Sequence, residues 1–145
     1  MTEPIKGFKD EYRFLSNFWP VRIVYAGMVY RSVEHAYQAS KCKDESDRLK
    51  VALAPSPGEA KRLGRMMKKR KDWDEVRVDI MYELNKRKYE NPELRNMLLA
   101  TGDAYLEETN NWYDRFWGVC KGEGRNQLGE ILMNIRDKIK DEAPL

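Results

Sequence analysis

The sequence predicts an α+β fold dominated by helices and carrying a small β-hairpin or sheet. Three observations predict it. Apolar residues recur at helical spacing over most of the chain after residue 32. Helix-start signals stand at Ser32, Ser56-Pro57, Asp72 and Asn91-Pro92. One alternating stretch between Val21 and Arg31 reads as a pair of strands. The 145 residues are the usual size of one domain, taken here as 1–145, and can bury a core without staples.

The elements follow in order. Val21, Ile23 and Tyr25 alternate, Ala26-Gly27 turns the chain, and Val29 and Arg31 resume. A first helix is expected from Ser32 to about residue 45, with the Ser32 oxygen accepting from free N–H groups of the first turn. Ser56-Pro57-Gly58-Glu59 matches a capping box with proline at the first helical position, and Ala60, Leu63, Met66 and Met67 follow at helical spacing. Asp72 can cap the next helix, with Glu75 three residues on and an apolar face of Val76, Ile80, Met81 and Leu84. Asn91-Pro92 opens another, which packs Leu94 and Leu98 and ends at Gly102 in a left-handed cap. Residues 103–121 are irregular and aromatic, with short strands expected near 104–107 and 116–119. The last helix is expected from about Arg125, on a stripe of Leu128, Ile131, Leu132, Ile135 and Ile139, with 141–145 frayed.

Composition narrows the function. Charged residues make up 35% and hydrophobic residues 41%. No apolar run approaches the ~20 residues of a membrane span. The N-terminus lacks the apolar core of a secretory signal, so a cytoplasmic protein without membrane contact is expected. Cys42 and Cys120 are expected as free thiols. His35 is the sole histidine and is expected to fill space on its helix. With no CxxC and no HExxH, neither a metal nor a cofactor is expected. The net charge of +3 is too balanced for an obligate nucleic-acid binder. The run 61–71 nevertheless holds Lys61, Arg62, Arg65, Lys68, Lys69, Arg70 and Lys71, which is either a solvated helix face or a phosphate contact.

Three segments can carry chemistry. In Ser32-Val33-Glu34-His35-Ala36-Tyr37-Gln38-Ala39-Ser40-Lys41, helical geometry puts Glu34, Gln38 and Lys41 within roughly 60° of one another. That polar stripe, beside a packing stripe of Val33, Ala36, Tyr37 and Ser40, is either solvated or a site. Asn17 stands among Phe14, Phe18 and Trp19; a buried amide there needs protein partners or meets a ligand. In Lys121-Gly122-Glu123-Gly124-Arg125-Asn126 the glycines allow close backbone approach, and a following helix N-terminus favours an anion. Lys121 and Arg125 add positive charge; the alternative is an ordinary glycine turn with Asn126 as helix cap. Trp73 and Trp117-Gly118 are stacking surfaces or core.

Taken together, these segments resemble the NADAR (YbiA-like) family. The resemblance runs in order through Phe14-Leu15-Ser16-Asn17-Phe18, the 32–41 run, Arg62-Leu63-Gly64-Arg65 with Trp73, Leu94-Arg95 with Leu98-Leu99-Ala100-Thr101, Phe116-Trp117-Gly118, and Gly122 to Gly129. It implies a mostly helical single domain, expected to be a monomer, that cleaves an N-glycosidic bond to ribose without metal or cofactor. Two substrate types go with it: ADP-ribose on guanine in DNA or RNA, and ribosylamino pyrimidine phosphates of early riboflavin synthesis. Carried over, Asn17, Glu34, Lys41, Trp117, Gly118, Gly122, Gly124 and Asn126 are the expected site. Glu34 is the expected proton-transfer residue. Lys41 acts either as an ammonium on phosphate or hydroxyl, or as an amine that attacks C1′. Phe18, Gln38, Arg65, Trp73, Lys121 and Arg125 join them as expected substrate contacts, with Arg65 and the glycine turn on phosphate. The stretch 110–115 is longer than the family's pattern and is expected to shape substrate choice. The rival classes are a module that reads ADP-ribose without turnover and a basic protein that uses 61–71 on nucleic acid.

Overall fold

The structure, a computed structural model, describes residues 2–142. The first half runs β1 (Ile5–Lys6), a 3-10 helix (Asp10–Leu15), β2 (Ile23–Tyr25), β3 (Met28–Tyr30), α1 (Val33–Lys41), α2 (Glu45–Ala52) and α3 (Pro57–Met66). The second runs α4 (Trp73–Lys88), α5 (Pro92–Ala100), β4 (Leu106–Glu107), β5 (Thr109–Asn110), β6 (Val119–Cys120) and α6 (Gln127–Glu142). The fold is α+β and helix-dominated, as the sequence predicts. It comprises two compact units: the central segment Asn17–Lys88, and the flanking segments through Ser16 and from Tyr89 onward.

In the central unit the hairpin forms where the alternation places it, with Ile23 opposite Tyr30 and Tyr25 opposite Met28. Ala26 and Gly27 both take positive φ, 49° and 81°, the two-residue turn whose twist suits a hairpin. The α1 helix packs against α2, α3 and α4. It is capped as expected, with Ser32 Oγ accepting from the His35 N–H at 3.1 Å, but it stops at Lys41, short of the expected end near 45. Beyond that point the strand-like residue Cys42 bridges to Lys69. Lys43 N–H donates to the Lys68 carbonyl at 2.8 Å and Arg70 N–H to the Lys41 carbonyl at 2.9 Å. A tertiary pairing therefore ends the helix.

The α2 helix was not expected from the sequence. Its residues through Lys50 are polar or exposed, and only Val51 and Ala52 are buried. For α3, Ser56 Oγ accepts from the Glu59 N–H at 3.1 Å. The reciprocal half of the box is absent because the Glu59 carboxylate pairs with Arg62. Asp72 precedes α4, yet its carboxylate takes Arg70 Nε at 2.6 Å; its backbone carbonyl, instead of its side chain, accepts from Glu75 and Val76. Ile80, Met81 and Leu84 are buried as expected, while Val76 is half-buried.

In the flanking unit β1 pairs in parallel with β4, Ile5 beside Leu106, and β5 in parallel with β6, Thr109 beside Val119. Neither β1 nor the 3-10 helix carries a periodic signal, and neither was expected. Asn91 Oδ1 caps α5 through the Leu94 N–H at 3.1 Å, and Gly102 closes it at φ 67°. The α6 helix packs on α5 and β4; Leu128, Ile131, Leu132, Ile135 and Ile139 are all buried. It begins at Gln127, two residues after Arg125. Asp141 and Glu142 are still helical, and 143–145 lie outside the described residues.

In the central unit α3 packs closely on α1 at Gly64. A Cβ on Gly64 would overlap the Gln38 amide oxygen and sit 2.9 Å from its Cδ. Alanine normally stabilises a helix interior over glycine by ~1 kcal/mol. Here the sign reverses: Gly64→Ala is expected to lower the urea midpoint, because the buried Gln38 amide has to leave its place.

Lys88, at the end of α4, is 0% exposed, and burial pushes its ammonium down to about 7. The unfolded chain keeps that proton to about pH 10.4. Between the two values the unfolded state binds more protons, so this group makes stability rise with pH. The urea midpoint is expected to climb from pH 7 to pH 9 in the wild type, and Lys88→Met is expected to flatten that climb.

Candidate active site

The site is built on α1, which is buried along almost its whole length although four of its buried residues are Glu34, His35, Gln38 and Ser40. Several polar groups of this helix have defined partners. His35 Nε2 faces the Ala54 carbonyl at 3.0 Å, which can only accept, so Nε2 carries the proton. Nδ1 then accepts from the Ser32 hydroxyl at 2.7 Å. Burial holds the imidazole below its ordinary pKa, consistent with this neutral, fixed ring. His35 therefore fastens the start of α1 to the end of α2. Ser40 Oγ donates to the Ala36 carbonyl at 2.7 Å.

Glu34 is buried at the helix entrance. Its N–H donates to the Asn17 carbonyl at 3.0 Å. Gln38 Nε2 donates to its carboxylate at 2.7 Å, one turn along, so the amide of the polar stripe orients the acid. Gln38 Oε1 is buried without a hydrogen-bond partner and packs against Gly64. Gln38 is thus held between Glu34 and α3.

Lys41 closes the stripe and is partly exposed. Burial lowers its pKa; Lys69 and Arg65 lower it too, while Cys42 and Glu34 oppose them. The bridge from 41–43 to 68–70 brings Lys69 into this neighbourhood. The sequence places Lys69 in the basic run as a solvated residue or a phosphate contact and gives no sign of its influence on Lys41. Within that run, Arg62 and Arg70 are engaged by Glu59 and Asp72. Arg65, Lys68 and Lys71 are exposed.

Asn17 lies beside Glu34 through its backbone, but its side chain turns toward α4. Its Nδ2 meets Met81 Sδ at 3.4 Å, and its Oδ1 receives Asn85 Nδ2 at 3.5 Å. Asn85, fully buried, was missed because a lone amide inside an apolar period carries no local signal. Phe18 is 43% exposed. Trp73 is 4% exposed and packs on Tyr37 with ring centroids 5.0 Å apart. Its indole is buried against α1, the core alternative of the sequence reading.

The other candidates belong to the flanking unit. Trp117 is half-buried and edge-on to Phe116, centroids 4.8 Å apart. A Cβ on Gly118 would overlap Glu108 and one on Gly124 would overlap the Gly118 carbonyl, so both glycines serve close backbone packing. Gly122 takes φ 77° with open space around it. Lys121 and Arg125 are exposed. Asn126 does not cap α6 with its side chain, as the sequence suggested. It is buried, its Oδ1 accepts from the Glu108 N–H at 3.0 Å, and its Nδ2 donates to the Leu106 carbonyl at 2.9 Å and Tyr105 hydroxyl at 3.1 Å. It splints the turn to β4.

Cys42 and Cys120 are buried free thiols. Among the described residues no helix is long and apolar enough to cross a membrane, and no group of His, Cys, Asp or Glu is placed to hold a metal.

Comparison with known proteins places these residues in a family. The NADAR domain model matches residues 5–140. A riboflavin biosynthesis protein of Vibrio vulnificus is 39% identical over 150 residues, covering 99% of this chain and 41% of its own length. The N-glycosidase YbiA of Escherichia coli is 39% identical over 140 residues, covering 92% of this chain and 85% of its own. This chain therefore spans less than half of the Vibrio protein and most of YbiA. The NMR structure of E. coli YbiA superposes with a TM-score of 0.87 at 35% identity, covering 98% of this chain and 88% of that one. The chain belongs to the NADAR family.

Proposed function

We propose that this protein is an N-glycosidase that hydrolyses the bond between ribose C1′ and a nitrogen base. One observation carries the reading: a buried carboxylate, Glu34, shares a helix stripe with an amine, Lys41, held below the ordinary lysine range. N-glycoside cleavage develops positive charge at C1′. It also needs a proton for the leaving nitrogen, and a nearby carboxyl answers both needs.

Lys41 acts as the nucleophile. Glu34 gives a proton to the ribose ring oxygen, the C1′–O4′ bond opens, and the base nitrogen's lone pair forms C1′=N. The neutral Lys41 amine adds to that carbon. Glu34 moves a proton from the Lys41 nitrogen to the base nitrogen, and the C1′–N bond to the base breaks. The resulting protonated Lys41 Schiff base takes up water and releases the open-chain sugar, and the proton left on the Lys41 nitrogen returns to Glu34, restoring the free amine and the carboxylic acid. The sum is water plus ribosyl–nitrogen to give sugar and N–H base. Asn17 and Gln38 position Glu34 and are not required to touch the sugar. Arg65, whose charge acts on Lys41, is assigned to phosphate.

The first substrate reading is ADP-ribose on guanine of a nucleic acid or nucleotide. The basic 61–71 run favours it, because a polyanion is drawn to such a face. The second is a ribosylamino pyrimidine phosphate of riboflavin synthesis, favoured by the name of the Vibrio relative. A side-by-side chromatographic assay of both separates them. Binding of either without released base would make the protein a reader.

Glu34→Gln is expected to cost at least ~100-fold in turnover with the melting temperature within a few degrees of wild type; a near-normal rate removes Glu34 from the mechanism. Borohydride added during turnover is expected to trap a sugar adduct on Lys41, seen by intact mass and peptide mapping, and Lys41→Arg is expected to abolish it. Because the free amine is the attacking form, kcat/KM is expected to fall as pH drops through the Lys41 pKa. That acid limb should lie below the ordinary lysine range. An active enzyme with no adduct and full activity in Lys41→Ala would end the covalent route.

A further inference from the structure

The loop between β5 and β6 holds two aromatic side chains largely in solvent: Trp112 is 55% exposed and Tyr113 62%. The backbone beneath them is fixed. Buried Asn110 accepts through Oδ1 from the Trp112 N–H at 3.3 Å and the Asp114 N–H at 3.1 Å. Its Nδ2 donates to the Asp114 carbonyl and to the Glu108 carboxylate, each at 2.9 Å. Asp114 Oδ1 accepts in turn from the N–H groups of Phe116 at 3.1 Å and Trp117 at 2.9 Å.

That framework forces Tyr113 to φ 64°, a conformation costly for any residue with a large side chain. Glycine or asparagine would make the turn more easily. A ring that is mostly in solvent recovers little of that cost by burial.

Two cations lie against the Tyr113 ring. Lys121 Nζ donates to the Tyr113 hydroxyl at 2.8 Å and lies 4.9 Å from the ring centroid, on a residue itself held at φ 53°. The Arg115 guanidinium lies 5.7 Å from the same ring and reaches Glu123 at 3.7 Å. The Arg125 guanidinium lies 5.8 Å from the Phe116 ring. Among the described residues, neither Lys121 nor Arg125 has a carboxylate partner.

We infer that this loop is a nucleotide platform: Tyr113 and Trp112 stack an unpaired nucleobase while Lys121 and Arg125 hold its phosphate. A rigid, exposed aromatic face takes a flat π system, and unmatched cations beside it take an anion. A nucleotide offers both a flat π system and an anion. Its source is either a residue of a single strand or a free nucleoside phosphate such as the adenosine diphosphate part of ADP-ribose. The platform rests on neither Glu34 nor Lys41, so it stands or falls by binding and not by turnover.

The test is equilibrium binding to the full chain, with a fluorescein-labelled eight-nucleotide oligo(dA) followed by anisotropy and with AMP and ADP-ribose followed by calorimetry. Tyr113→Gly removes the ring and relieves the positive φ, so it should melt no lower than wild type while losing about 10-fold or more in affinity. Trp112→Ala is a second variant at an ordinary backbone position and should weaken binding in the same direction. Lys121→Gln should weaken binding and make it less dependent on salt. Binding of AMP and ADP-ribose with these losses assigns a free nucleotide; binding of the oligonucleotide alone assigns a strand, and either supports the platform. It is overturned if the wild type binds none of the three at millimolar concentration, or if Tyr113→Gly and Trp112→Ala bind as tightly as wild type.

Discussion

A carboxylate, an imidazole, an amide and a hydroxyl sit inside a helix that is buried on nearly every side. Removing such groups from water costs several kcal/mol each unless hydrogen bonds replace it. That constraint organises the central unit. The imidazole is satisfied at both nitrogens by Ser32 and Ala54, and the hydroxyl by the previous turn. The carboxylate is served by Gln38, and Gln38 needs room that only a glycine at 64 leaves. Glu34, Gln38 and Gly64 therefore form a chain of dependence from α1 into α3. A change at Gly64 is felt at the carboxylate although the two share no bond.

The charge balance around Lys41 has the same character. Glu34 favours its ammonium, whereas burial, Lys69 and Arg65 favour the amine, and the net direction is downward. The bridge that ends α1 is what places Lys69 there. The same backbone pairing thus shortens a helix and tunes an amine. A lysine on an exposed helix end would stay charged and unreactive, so the broken helix is part of the chemistry proposed for this site.

Much of the fold was legible because its signals are local. Ser32, Ser56-Pro57 and Asn91-Pro92 act within one turn of their own positions, and each cap is present. The α6 stripe was legible because five large aliphatic residues keep one period. What escaped depends on distant partners. The end of α1 is set by residues 68–70, β1 exists only because β4 lies alongside it, and α2 has little apolar periodicity to betray it. In the candidate site, the stripe of Glu34, Gln38 and Lys41 followed from helical geometry alone. Trp73 could not be sorted from its neighbours, since an indole reads alike whether it meets a ligand or Tyr37. Asn17 drew notice as an amide among aromatics, but its partner Asn85 is 68 residues away.

The positive-φ residues of the flanking unit divide by what offsets their strain. Each left-handed non-glycine residue costs on the order of 1 kcal/mol. Asn126 offsets it with bonds to Glu108, Leu106 and Tyr105, and asparagine tolerates that region well. Its strain therefore belongs to the fold, holding the glycine turn against β4. Tyr113 and Lys121 are not residues that favour it, and both side chains are exposed. The bond they exchange, at 2.8 Å, joins them to each other, and the Tyr113 ring has the Arg115 guanidinium against it. The fold gains a splint from Asn126; from the tyrosine and the lysine it gains only a ring and a charge held at fixed positions on its surface. A structure that tolerates strain for such a display, on a loop already stiffened by Asn110 and Asp114, is organised for contact with something outside itself.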